Sequence, residues 1–72
     1  MAYDYSKLRG RITEKYKTQA AFAKELGWSE RTLSLKLNGK IFFSQNDIEE
    51  MSKALNIKRE EIRVYFFTLI AQ

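Results

Sequence analysis

Glu30, Arg31, Ser34, Leu35 and Asn38 fall at helical spacing, and as residue types they can read a nucleic acid. The Arg31 guanidinium can grip guanine O6 and N7 together, or a single phosphate. Glu30 can accept from cytosine N4, orient Arg31, or serve only as a favourable charge at a helix N-terminus. Ser34, one turn on, can reach a base edge or a phosphate. Leu35 is apolar where an outward helix position favours a polar residue. A thymine methyl would account for it, and so would packing against Trp28 or a neighbouring loop. Lys15, Lys17, Thr18, Gln19, Ser29, Lys36, Asn38, Lys40, Ser44 and Gln45 form the candidate phosphate set, by charge or by position at a helix end.

These residues need two short helices crossing over a tight turn, and residues 19–39 carry that pattern. Ala23 is small enough for a second helix to pack across the first. Gly27 can take the positive φ that ends a helix. Leu33 and Leu37 lie one turn apart and point inward, leaving residues 30, 31, 34, 35 and 38 outward. Thr18 is the expected N-cap of helix 2, over Gln19 to Leu26, and Ser29 that of helix 3, over Glu30 to Leu37. Asn38 and Gly39 both tolerate a left-handed backbone and should end helix 3. Trp28 in the turn reads as a partly buried plug, with stacking on nucleic acid as the alternative.

Charge segregates along the chain. Residues 1–40 hold nine Lys/Arg against four Asp/Glu, and residues 41–72 hold four against five. The basic excess coincides with the helix pair, as a polyanion partner would require. With no Cys and no His, the chain lacks a disulfide, the commonest zinc ligands and the commonest general base. No Gly-rich phosphate loop or carboxylate pair on an apolar face suggests catalysis, so no catalytic residue, metal, cofactor or small-molecule substrate is expected. No apolar run is long enough to span a bilayer and no secretory signal is visible, so a cytoplasmic location is expected.

The rest of the chain reads as three further helices. Helix 1 is expected from Tyr5 to Lys17 with Asp4 as N-cap and Leu8, Ile12 and Tyr16 as its buried stripe. Gly10 inside it marks either a close helix approach or a weak point of roughly 1 kcal/mol relative to Ala. Lys40 to Phe43 forms an apolar connector. Ser44 and Asp47 form a Ser-x-x-Asp capping signature for helix 4, whose inward residues are Ile48, Met51 and Leu55. Asp47, Glu49 and Glu50 read as solvated first-turn acids. Asn56 is a plausible left-handed terminator, and helix 5 is expected to begin near Arg59 with a weak cap at Lys58. The fold class is therefore all-α, in one domain over 1–72, with a core over about 4–66 and an apolar tail over 67–72.

Residues 19–39, with Asn38-Gly39-Lys40 and the later helices, resemble the helix-turn-helix of the lambda repressor and Cro superfamily. YDYSKLRGRI, SERTLSLKLNGK and the closing YFF at 65–67 resemble small Cro-like phage and prophage proteins of Gram-positive bacteria. That resemblance implies a five-helix DNA-binding domain with helix 3 in the major groove and Gln19 on phosphate. It also implies a Gln reading adenine at the start of helix 3, where this chain has Glu30. The implied activity is transcription regulation on an operator in double-stranded DNA.

Tyr65, Phe66, Phe67, Leu69 and Ile70 are more apolar surface than a chain this short can bury. Ile62 and one aromatic can complete a monomer core, and the remainder reads as a homodimer interface, through a helix or an added strand. A different class of function also fits: a protein-interaction module of the antitoxin or anti-repressor type built on the same helices.

Overall fold

A computed structural model describes residues 3–70. It contains α1 (Ser6–Tyr16), α2 (Gln19–Leu26), α3 (Glu30–Leu37), α4 (Gln45–Leu55) and α5 (Ile62–Phe66), the last preceded by a 3₁₀ turn, Arg59–Glu61. The expected all-α, five-helix architecture is what the chain adopts. Among the described residues the only β-type pairing is an isolated antiparallel bridge between Tyr3 and Leu69. The last two residues of the expected tail, 71 and 72, lie outside the described residues. No helix among the described residues is long and apolar enough to cross a membrane.

Local chemistry accounts for α2 and α3. The Thr18 hydroxyl accepts from the Ala21 N–H at 3.1 Å and the Ser29 hydroxyl from the Thr32 N–H at 3.0 Å. Each thus satisfies a donor that a helix start leaves free. Gly27 ends α2 at φ +76°, a left-handed geometry that a side chain would strain. After α3 the left-handed residue is Gly39 at φ +77°, while Asn38 stays at φ −90°. Asn38-Gly39 thus ends α3 as expected, with Gly39 supplying the left-handed residue.

The other helix ends depart from expectation in small ways. α1 begins one residue late: the Asp4 carboxylate accepts from the Ser6 N–H at 2.8 Å, and Tyr5 occupies the cap position. Its C-terminal flank, Lys17, has φ 72° and ψ −42°, and the Thr18 N–H donates to the Tyr16 carbonyl at 2.8 Å across it, a tight γ-type turn. Asn56 closes α4 at φ 55°, as expected. α5 does not start at Arg59. With Lys58 unable to cap, the chain first makes the 3₁₀ turn, and the Glu61 carboxylate accepts from the Lys58 N–H at 3.0 Å.

One core joins the five helices. Leu8 and Ile12 of α1, Phe22 and Ala23 of α2, Leu33 and Leu37 of α3, Met51 and Leu55 of α4, Ile57 and Phe66 are all buried. Phe66 therefore leaves the expected dimer-interface set: at 1% exposure it completes the monomer core. Gly10 faces solvent, and a Cβ built there would meet nothing within 4 Å, so it marks no close helix approach. α1 also closes the end of α4. Arg11 Nε donates to the Leu55 carbonyl at 2.9 Å and the Tyr16 hydroxyl to the Ala54 carbonyl at 3.2 Å. Both carbonyls lie in the last turn of α4, where no backbone N–H remains to bond them.

Candidate functional site

The first turn of α3 is open. Glu30 and Arg31 are exposed, and no hydrogen bond or ion pair holds either side chain among the described residues. Ser34 and Leu35 are half-buried on the same helix. Trp28 is also half-buried and packs against the core, the position expected of a plug in the turn.

The last turn of α3 is held fast. Lys36 Nζ donates to Asp47 Oδ2 and lies 4.8 Å from the centroid of the Trp28 ring. The Lys36 and Asp47 side chains are only 14% and 13% exposed. Asp47 also accepts from the Ser44 N–H at 2.9 Å, while its own N–H donates to the Ser44 hydroxyl at 3.0 Å. The signature of a capping box is thus realised, but Asp47 is buried rather than solvated. Burial by itself would raise its pKa. The hydrogen bonds from Lys36 and Ser44, with the Lys36 charge, outweigh that and hold the carboxyl below its ordinary value.

A second clamp comes from α1. Arg9 Nη2 donates to the Leu37 carbonyl at 2.9 Å and to Asn38 Oδ1 at 2.6 Å. Nothing in the spacing of the chain singled out Arg9, because its partners lie 28 and 29 residues away. The Asn38 amide nitrogen turns back to the Ser34 hydroxyl at 3.4 Å.

These contacts divide the candidate phosphate set. Lys15, Lys17 and Lys40 are exposed and Gln19 is half-buried at the start of α2. Lys36 is neutralised by Asp47, and Asn38 is engaged by Arg9. Thr18, Ser29 and Ser44 are exposed, with their hydroxyls accepting from their own helices. Gln45 is exposed, but the N-terminus it shares with Ser44 already holds the Asp47 carboxylate. A carboxylate at a helix start opposes an incoming phosphate.

Beyond α3 the connector splits. Phe43 packs edge-on between Tyr5 at 5.2 Å and Phe66 at 5.4 Å, whereas Phe42 is 84% exposed and Ile41 44%. In the tail, Tyr65 is half-buried, and Phe67, Leu69 and Ile70 are about half exposed, at 45%, 50% and 47%. The Tyr3–Leu69 bridge and a bond from the Asp4 N–H to the Thr68 carbonyl at 2.7 Å tie that tail to the N-terminal segment.

The profile of a family described as "Protein of unknown function (DUF739)" matches residues 1–69. The chain belongs to this family. It is also similar to a solved structure, the modulator of repression (MOR) of the temperate bacteriophage TP901-1 from Lactococcus lactis. The two are 48% identical with a TM-score of 0.83, over 93% of this chain and 90% of that one. Comparison with curated proteins found no match.

Proposed function

We propose that this DUF739 protein is a phage-type regulator that modulates repression by contacting the repressor protein of its own circuit. The contact surface is the open first turn of α3 with the loop that follows α3. Similarity to the MOR protein of TP901-1 supports a role in repression. The observation that carries the mode of action is the pairing of Lys36 with Asp47. With Lys36 neutralised and Glu30 beside Arg31, little uncompensated positive charge remains on α3 to hold a phosphate backbone. What remains is a small surface of mixed charge with half-buried Leu35, the make-up of a protein contact. On this reading the protein is not an enzyme, needs no cofactor and works in the cytoplasm.

Operator DNA is the second reading. It is favoured by a specific feature: Arg31 stands free in the first turn of α3, and Lys15, Lys17 and Lys40 are exposed. In that case α3 enters the major groove, as in the helix-turn-helix proteins that the sequence resembles, and a two-fold site would call for a homodimer through Phe67, Leu69 and Ile70. Gel-shift titration of the repressor on its operator separates the two. The protein-contact reading expects added protein to change repressor occupancy without binding the operator alone. Direct, sequence-selective binding of the operator duplex, lost in Arg31→Ala, would transfer the function to DNA readout.

A further inference from the structure

Phe42 is the most exposed large apolar side chain described, and it neither belongs to the core nor packs against it. Residues 42–44 carry no helical or turn structure. Phe43 is captured between Tyr5 and Phe66, and Phe42 is turned outward.

The loop is fixed at both ends. The Lys40 N–H donates to the Leu35 carbonyl at 2.9 Å, and the Ser44 N–H donates to Asp47 at 2.9 Å. A single exposed apolar residue is ordinary on a protein surface. An aromatic ring held outward on a braced loop, with exposed Ile41 next to it, is a different case. The two hydrogen bonds from the loop backbone limit how much of the loop a partner would have to order, which lowers the cost of a contact there.

We infer that Phe42 is the anchor of the proposed contact and inserts, with Ile41 alongside, into an apolar socket rimmed by carboxylates on the repressor. This rests on the protein-contact reading above and names the chemistry of its partner. The rim follows from charge: between Gly39 and Asn46 the sole ionisable side chain is Lys40, and the first forty residues carry the basic excess. Duplex DNA is the poorer occupant, because its grooves accept an aromatic wedge only by unstacking a base step.

Calorimetric titration of the purified repressor with wild type, Phe42→Ala, Phe42→Leu and Lys40→Glu tests the inference, with thermal melting of each variant as the control for folding. The expected result is at least tenfold weaker binding for Phe42→Ala, an intermediate loss for Phe42→Leu, weakening by Lys40→Glu, and unchanged melting. Phe42→Ala binding the repressor within twofold of wild type would overturn the anchor while leaving the protein-contact reading intact. Wild type failing to bind the repressor would overturn that reading, and the anchor with it. The same variants are titrated into operator duplex, where a loss seen only there would make Phe42 a DNA wedge and overturn the socket.

Discussion

The two ends of α3 differ more than its eight residues suggest. At its C-terminal end, α4 holds Lys36 through Asp47, and α1 holds the Leu37 carbonyl and Asn38 through Arg9. At its N-terminal end Ser29 caps the helix, and beyond that Glu30 and Arg31 make no tertiary bond among the described residues. One end is fixed by tertiary contacts and the other is left free. A helix that presents side chains to a partner needs both, because a loosely held base would blur the placement of the tip.

Removing the Asp47 carboxylate should loosen the fixed end of α3 most severely. Asp47→Ala leaves the nearly buried Lys36 ammonium without its partner and removes half of the capping box of α4, at a cost of about 2–4 kcal/mol. Urea unfolding would show it. The same group gives a pH signature. Its folded pKa is depressed, so its stabilising contribution is present above the ordinary carboxylate range and is lost as pH falls through about 4 and below. Asp47→Asn should flatten that part of the stability profile, and an unchanged acid limb would assign it to other carboxylates.

Arg9→Ala should cost about 1–2 kcal/mol, because it frees two acceptors at the end of α3. A cost below about 0.5 kcal/mol would mean that the α1 clamp contributes little. Ser29→Ala should cost about 1 kcal/mol through the lost cap, also by chemical unfolding. Arg31→Ala should be the mildest, within about 0.5 kcal/mol of wild type. A destabilisation by Arg31→Ala as large as that by Arg9→Ala would erase the distinction between a fixed base and a free tip.

The sequence made α2 and α3 legible to the residue, because Thr18, Gly27 and Ser29 act on backbone within three or four positions of themselves. Asn56 was legible for the same reason. Lys36 with Asp47, and Arg9 with Asn38, were not. Each pair is 11 or more residues apart, and only the folded arrangement of the helices brings its side chains within reach of one another. The two phenylalanines of the connector look equivalent in sequence, and their opposite fates depend on Tyr5 and Phe66 flanking one of them. The late, 3₁₀ start of α5 was foreshadowed by Lys58, a residue with no acceptor for capping. Phe66 is legible in the spacing, because Ile62, Tyr65 and Phe66 stand at i, i+3 and i+4 on the inward face of α5, while Phe67, Leu69 and Ile70 fall outside that stripe.

On the proposed function, the α3 tip and its loop meet a protein. The direct measurement is the affinity of the wild-type protein for the purified repressor of its circuit and, separately, for the operator duplex, each at about 50 and 200 mM salt, where multi-phosphate contacts lose orders of magnitude. The protein should bind the repressor in the absence of DNA, with an affinity that changes less than about tenfold between the two salt conditions, and should not bind the duplex selectively. Tight, selective binding to the duplex that collapses with salt, with no affinity for the repressor, would contradict the proposed function.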